Sequence, residues 1–164
     1  MIGIDTSYLI ALAIQEHEYH KEAWSYYDRF LKNQKGAALL APQVIQEWLH
    51  IVTDSKRFER PFEMREALKW VENFEKAQEF RAAYPDAETT RYFLQWMKDY
   101  SLGRKRILDT YLAATYHRAG VKMIVTTNWR DFEIFQLFES ADWILNASGT
   151  LSKQSLFAID SSGS

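Results

Sequence analysis

The sequence predicts an α/β protein of three layers, in which helices cover both faces of a central, mainly parallel sheet of four to five short strands. Short apolar runs alternate with longer amphipathic stretches, a pattern typical of strands joined by crossover helices. At 164 residues, with 47% hydrophobic and 26% charged residues, the chain has the size of one domain and enough apolar residues for a core. We expect this single domain over residues 1–146, followed by a Ser- and Gly-containing tail over 147–164 that is flexible or partly a cloning remnant.

Apolar runs of three to five residues indicate the strands. Residues 2–4 and 37–41 are such runs, and they stop at Asp5 and Pro42. Residues 123–127 form another, rich in the β-branched side chains that strands favour. Two further candidates are residues 79–84 and, as an edge strand, residues 143–145.

Longer stretches carry apolar side chains at the spacing of one helix face. They are residues 8–14, 19–31, 42–52, 61–74, 86–100 and 107–119. Pro42 suits the first turn of its helix, and Gly120 suits a position just after a helix end.

The composition excludes several classes of function. The chain has no cysteine, which rules out a disulfide framework, a thiolate zinc site, an iron–sulfur cluster and a cysteine nucleophile. The net charge of −2 gives no overall basic field for nucleic acid, so any basic surface must be local. With no basic leader and no apolar run of roughly 20 residues, we expect a cytoplasmic protein without a membrane partner.

Acidic residues fall where parallel sheets bind ligands, at the carboxyl ends of strands. Asp5 ends the first run, and Asn128 and Asp131 follow the run at 123–127. Asp109 begins the helix that leads into that run, and Glu47 borders the apolar face of its own helix. Carboxylates gathered there repel one another unless they share a cation. Oxygen ligands without cysteine favour Mg²⁺, or alternatively Mn²⁺, and such ions serve phosphoryl transfer.

The order and context of four short motifs resemble PIN-domain ribonucleases, most closely the VapC-type toxins of toxin–antitoxin pairs. The motifs are Asp5-Thr6-Ser7, Glu47 in Val-Ile-Gln-Glu-Trp, Asp109 in Arg106-Ile-Leu-Asp-Thr-Tyr-Leu-Ala-Ala-Thr, and Thr126-Thr-Asn128-Trp-Arg-Asp131-Phe. The resemblance covers about residues 1–146 and implies a PIN-like fold and a metal-dependent endoribonuclease. It implies that Asp5, Glu47 and Asp109 coordinate the metal, with Asp131 as the fourth acid. Thr6 and Asn128 match positions that orient the site.

The resemblance also implies partners. They are an RNA substrate such as a tRNA or a ribosomal RNA loop, a cognate antitoxin protein, and a second copy of the chain in a homodimer. Arg130 and the run Arg104, Lys105 and Arg106 are the candidates for contacts with RNA phosphates, whose neutralisation drives affinity.

Each acid also has a purely structural explanation. Asp5 and Asp109 suit helix N-caps, Asp131 suits the cap of a short following segment, and Glu47 suits a solvated helix flank. Three other functions therefore stay open: an RNA-processing nuclease that is not a toxin, a receiver-like Mg²⁺-binding phosphoacceptor, and a non-catalytic binding domain. The receiver-like alternative lacks an aspartate at the end of the second or third apolar run, where Pro42 and Pro85 stand.

Overall fold

Within the part of the chain that the structure describes, a five-stranded, all-parallel sheet forms the frame of the molecule. The computed structural model describes residues 1–144, so the predicted tail at 147–164 lies outside the described residues. The strands are β1 (Ile2–Ile4), β2 (Ala38–Leu40), β3 (Phe80–Ala82), β4 (Met123–Val125) and β5 (Glu139–Ser140). Their order in the sheet is β3-β2-β1-β4-β5. The predicted α/β class and parallel sheet are confirmed.

Helices fill the connections, and all of them except the short α7 overlap the predicted stretches. They are α1 (Thr6–Ala13), α2 (His20–Tyr26), α3 (Pro42–Val52), α4 (Met64–Lys76), α5 (Ala87–Asp99), α6 (Ile107–Arg118) and α7 (Arg130–Glu133). A π-helical turn, Tyr27–Leu31, extends α2, and a 3₁₀ turn, Arg104–Arg106, leads into α6. None of these helices within residues 1–144 is long and apolar enough to cross a membrane.

The strand order creates a switch point beside the central strand. From β1 to β2 to β3 the chain advances toward one edge of the sheet, and from β3 to β4 it returns across β1 to the other side. Since such crossovers are right-handed, the two directions place the intervening helices on opposite faces. Within these layers α1 packs on α2 and α3, and α5 packs on α6. The ends of β1 and β4, which are paired through Ile4 and Val125, therefore flank the position where open α/β sheets bind ligands.

Close packing fixes the central strand against α6. Gly3 lies under the ring of Tyr116, and a Cβ at that position would sit 2.8 Å from the ring's Cδ2. The Tyr116 hydroxyl donates toward the carbonyl oxygens of Ile4 (2.5 Å) and Leu39 (3.1 Å). The ring therefore sits on β1 while its polar end holds β1 and β2 together, so the end of β1 has a defined position.

The predicted edge strand at residues 143–145 is wrong. The edge strand is β5, Glu139–Ser140, which pairs with β4. Trp143 lies instead in the core, 1% exposed, where its indole N–H donates to the Thr126 carbonyl at 3.0 Å. An aromatic and apolar triplet is equally suited to filling a core from a loop, and Leu145 lies outside the described residues.

Candidate active site

The carboxylate of Asp5 is held at the switch point by hydroxyl groups. Asp5 directly follows β1, and its Oδ2 accepts hydrogen bonds from Ser7 Oγ at 2.5 Å and Thr126 Oγ1 at 2.8 Å. The backbone N–H groups of Thr127 and Asn128 in turn donate to those two hydroxyls. Asp5 has the backbone conformation of an N-cap but makes no capping hydrogen bond, so the cap explanation does not account for its side chain.

Burial raises the pKa of the Asp5 carboxyl, while the hydrogen bonds from Ser7 and Thr126 act against the rise. The hydroxyls thus favour the ionised form at a position where loss of water disfavours it. An acid that is partly buried and held in one orientation is suited to binding a cation.

Glu47 is linked to the same edge of the sheet through Thr6. Thr6 is the first residue of α1 and is 3% exposed. Its hydroxyl donates to Glu47 Oε2 at 2.7 Å. This bond joins the start of α1 to the middle of α3, and it turns the Glu47 carboxylate inward instead of leaving it as a solvated flank.

Asp109 lies in the first turn of α6, two residues beyond its start. Burial is the largest cause that raises the pKa of Asp109 to about 6, and the neighbouring charge of Asp131 is the next. The charges of Asp5 and Glu47 raise it further, whereas Arg106 lowers it. The other three predicted acids therefore lie close enough for their charges to act on Asp109, and this repulsion destabilises the ionised form of Asp109.

Asp131 is paired with a cation from its own chain. One amino group of the Arg106 guanidinium donates to Asp131 Oδ1, and the other donates to the Asp131 backbone carbonyl. The Asn128 side-chain amide donates to Asp131 Oδ2. The ion pair is partly buried, since each side chain is 23% exposed. Asn128 thus orients Asp131, and Arg106 fixes the loop after β4 to the start of α6.

Among the predicted RNA contacts, Arg106 differs from the others because its guanidinium is occupied by Asp131. Arg104, Lys105 and Arg130 are exposed, and none of them takes part in an ion pair with another residue of the described part of the chain. These three remain available for phosphate groups.

Sequence reasoning missed Ser7, Thr126 and the pairing of Arg106. Ser7 and Thr126 are 119 residues apart, and nothing local predicts that their hydroxyls meet on one carboxylate. A signal was nevertheless present, because a hydroxyl side chain follows within a few residues of the end of both β1 and β4.

The donor set matches a hard divalent cation in its chemistry. Carboxylate oxygens are the ligands that Mg²⁺ and Mn²⁺ take. Burial is the first cause that raises the pKa of both Asp5 and Asp109, and at Asp109 the charges of the other three acids add to it. Within residues 1–144, however, no three His, Cys, Asp or Glu side chains are arranged so that they could hold an ion. Coordination by this set therefore requires side-chain movement.

An all-parallel sheet with acids at its switch point defines the class as an α/β domain whose site lies at the carboxyl ends of the strands. A model of the PIN domain family matches residues 2–135. The chain belongs to the PIN domain family, as the motifs predicted. No curated protein sequence matches the chain.

Several solved structures share this fold, and one of them is described as a toxin. VapC20 of Mycobacterium tuberculosis, described as a sarcin–ricin loop cleaving toxin, superposes with a TM-score of 0.65 at 14% identity, over 85% of this chain and 98% of that one. VapBC-1 of nontypeable Haemophilus influenzae gives 0.60 at 16% identity, over 87% and 98%. FitAcB of Neisseria gonorrhoeae gives 0.60 at 16% identity, over 85% and 96%. At these identities the likeness establishes a common fold.

Proposed function

We propose that this chain is a metal-dependent endoribonuclease and the toxin of a VapBC-type toxin–antitoxin pair. The reaction is hydrolysis of an RNA phosphodiester bond: water attacks phosphorus, the bond to the 3′ oxygen breaks, and the proton passes to that oxygen. The products are a 5′-phosphate and a 3′-hydroxyl end. PIN family membership and the toxin relatives of the fold support the class of reaction.

The observation that carries the proposal is that Asp5, Glu47 and Asp131 lie close enough for their charges to act on Asp109, while hydrogen bonds hold the Asp5 and Glu47 carboxylates in place. Folding gains nothing from placing the Asp109 carboxylate beside the other three acids, because repulsion and desolvation destabilise its ionised form. A ligand that supplies positive charge is the simplest reason for the arrangement.

Each residue then has a defined task. Asp5, Glu47 and Asp109 hold the cation, Mg²⁺ or alternatively Mn²⁺, with Asp131 as the fourth acid. Ser7 and Thr126 keep the Asp5 carboxylate oriented, and Thr6 does so for Glu47. A bound Mg²⁺ offsets the charge of the phosphodiester and lowers the pKa of a water nucleophile.

The exposed cations Arg104, Lys105 and Arg130 bind phosphates on either side of the cleaved bond. Arg130 begins α7, directly before Asp131, so its guanidinium is closest in sequence to the acids. Phosphate contacts of this kind position the chain and carry no sequence information.

Cleavage of a structured RNA by purified protein tests the enzyme proposal. We expect cleavage in Mg²⁺ and none in EDTA, and a fall of about 100-fold or more in the rate for Asp5→Asn and Asp109→Asn, which each remove one charge that the reaction needs. Asp28→Asn is the matched control, because Asp28 is exposed and paired with Lys32. Cleavage by the two site variants at the parent rate contradicts the proposal.

Growth measurements test the toxin part. Expression of the parent should arrest growth, expression of Asp109→Asn should not, and co-expression of the antitoxin from a neighbouring reading frame should relieve the arrest. A growth-neutral parent that still cleaves RNA would instead support the second candidate, an RNA-processing nuclease.

A homodimer is part of the proposal, and its mass in sedimentation equilibrium checks it. The receiver-like alternative has no support in the family match or the fold.

A further inference from the structure

β3 is an edge strand whose outer side is open in the part of the chain that the structure describes. It stands first in the strand order, and β2 is its strand neighbour. The Ala83 N–H donates to the Leu40 carbonyl at 3.0 Å, so the odd-numbered residues of this segment face β2. Phe80 and Ala82 therefore face outward. Within residues 1–144, the Ala82 N–H and the carbonyls of both residues make no hydrogen bond.

This edge is less protected than the opposite edge of the sheet. Edge strands are commonly blunted by a charged side chain or by a very short length, because an open edge pairs readily with another chain. β5, at the opposite edge, has two residues, and one of them is the exposed Glu139. The charge of β3 belongs to Arg81, whose guanidinium donates to Met1 Sδ at 3.2 Å. The Arg81 side chain therefore lies back across the starts of the neighbouring strands and leaves the outer side of β3 uncovered.

An apolar groove of about 530 Å³ lies beside the same edge, between β3, α3 and α4. Ile45 of α3, Phe74 of α4 and Phe80 of β3 line it. Tyr84, two residues beyond the end of β3, lines it as well and is 75% exposed. Because Tyr84 precedes Pro85, its backbone is restricted to an extended conformation. Tyr84 therefore continues the line of β3, and its side chain points to the same side as that of Phe80.

We infer that β3 pairs in antiparallel fashion with β3 of a second copy of the chain, so that the two sheets become continuous. The inference rests on the homodimer of the proposed function and assigns its surface. In the register that places Ala82 opposite itself, each Ala82 N–H donates to the Ala82 carbonyl of the other copy, and each Tyr84 N–H donates to the Phe80 carbonyl of the other copy. These groups have no other partner within residues 1–144.

The same register is self-complementary in its side chains. It places Phe80 of each copy opposite Tyr84 of the other, on the side of the groove, and aromatic cross-strand pairs of this kind stabilise antiparallel sheets. Arg81 lies opposite Ala83, so no like charges face each other. Each exposed Tyr84 ring thereby covers the groove of the other copy.

The two tyrosine rings supply a substantial part of the area that a dimer needs. An aromatic side chain buries about 150–250 Å², so covering two Tyr84 side chains that are 75% exposed removes roughly 200–400 Å² from water. A specific interface needs about 1,000 Å² in total, to which the groove walls and both strands add. We therefore expect a dimer that dissociates on dilution.

Charge reversal at the two-fold position tests the pairing. Because Ala82 faces itself, Ala82→Glu and Ala82→Lys each place like charges opposite each other, whereas an equal mixture of the two places opposite charges there. Sedimentation velocity over a concentration series should show dimers roughly tenfold or more weaker than the parent for each variant alone, and a restored dimer for the mixture. Ser25→Glu and Ser25→Lys, at an exposed position on α2, are the matched controls and should dimerise as the parent does.

Amide hydrogen exchange in the parent keeps the test decisive if the Ala82 variants do not fold. The Ala82 and Tyr84 amides should exchange slowly at concentrations where the dimer forms and fast on dilution. The Arg81 amide, which faces β2, should exchange at the same rate at both concentrations.

A dimer whose Ala82 and Tyr84 amides exchange at the monomer's rate overturns the inference, because another surface then pairs, and it leaves the proposed homodimer standing. Folded Ala82 variants that dimerise alone as tightly as the parent, or a mixture that stays monomeric, overturn it too. A parent that is monomeric at every concentration overturns both the inference and the homodimer. Protection of Ala82 only after another protein is added identifies a different occupant and also overturns the inference. RNA cleavage in Mg²⁺ is a separate readout, whose absence refutes the proposed enzyme and not the pairing of β3.

Discussion

Asp5 illustrates what a single residue reveals before its structure is known. Its place after an apolar run predicts that its carboxylate lies at the edge of the sheet, and it does. Its partners were not predictable, because the hydroxyls of Ser7 and Thr126 approach it from segments that only the folded sheet brings together. Local patterns predict where acids stand, whereas hydrogen-bond partners depend on tertiary packing.

Asp109 should make the metal-free protein less stable at neutral pH. Its folded-state pKa of about 6 lies above its ordinary value of 3.8, so the folded state holds the proton more tightly than the unfolded state does. This contribution to stability is lost as the pH rises from about 4 to about 6. We therefore expect Asp109→Asn to raise the free energy of unfolding by about 1 kcal/mol at pH 7.5, after allowance for solvent screening.

Urea unfolding in EDTA at pH 4.5 and pH 7.5 measures this effect. The rise in the free energy of unfolding caused by Asp109→Asn should be smaller at pH 4.5, where Asp109 of the parent is protonated in the folded state. Asp99→Asn, at an exposed position on α5, should give no comparable gain. An equal gain at both values of pH would show that the raised pKa is not its cause.

Arg106 is a single residue that positions another one, Asp131. Its guanidinium fork serves the Asp131 carboxylate and the Asp131 backbone together, and a lysine ammonium cannot reproduce this geometry. We expect Arg106→Lys to lower the free energy of unfolding by about 1–2 kcal/mol, as for a partly buried pair. Chemical denaturation of both proteins measures the loss. Arg104→Lys, at an exposed neighbour, should be close to neutral, and a similar loss there would contradict this role.

At the scale of elements, the apolar pattern predicts β1, β2, β4 and the long helices because each buries a periodic set of side chains. β5 was missed for the same physical reason. It consists of Glu139 and Ser140, which have no apolar periodicity, and it is a strand only because β4 offers it an edge. The nearby apolar residues around Trp143 pointed to the wrong segment, since they fill the core from a loop.

Gly3 should be the least replaceable position of the central strand. A methyl group there would meet the Tyr116 ring at 2.8 Å, and the ring cannot move without weakening its bonds to Ile4 and Leu39. We expect Gly3→Ala to lower the free energy of unfolding by about 2 kcal/mol, within the range for overpacked cores.

Gly103→Ala provides the comparison, because nothing lies within 4 Å of its added methyl and its φ is −90°. Thermal and urea unfolding should show a clearly lower stability for Gly3→Ala than for Gly103→Ala. A Gly3→Ala protein as stable as the parent would mean that β1 and α6 are not packed as described.

At the scale of the whole molecule, a net charge of −2 means that RNA binding depends on a few local cations. With Arg104, Lys105 and Arg130 as the phosphate contacts, the logarithm of the binding constant should fall with the logarithm of salt concentration with a slope of about −2 for single-stranded RNA. Replacing both Lys105 and Arg130 by alanine leaves one of the three phosphate contacts, so the slope should become about −0.7. Fluorescence anisotropy in EDTA over a salt series measures both slopes. Lys35→Ala combined with Lys69→Ala, at exposed positions, should leave the slope unchanged; an equal change would place the RNA elsewhere.

The position of β1 between β2 and β4 has a consequence for how the chain is made. Translation delivers Asp5 first, but Thr126, whose hydroxyl holds it, comes 121 residues later. A growing polypeptide on the ribosome therefore carries Asp5 and Glu47 long before Thr126 and Asp131 have been made. In the cell, the four acids can meet only after Asp131, the last of them along the chain, has been translated.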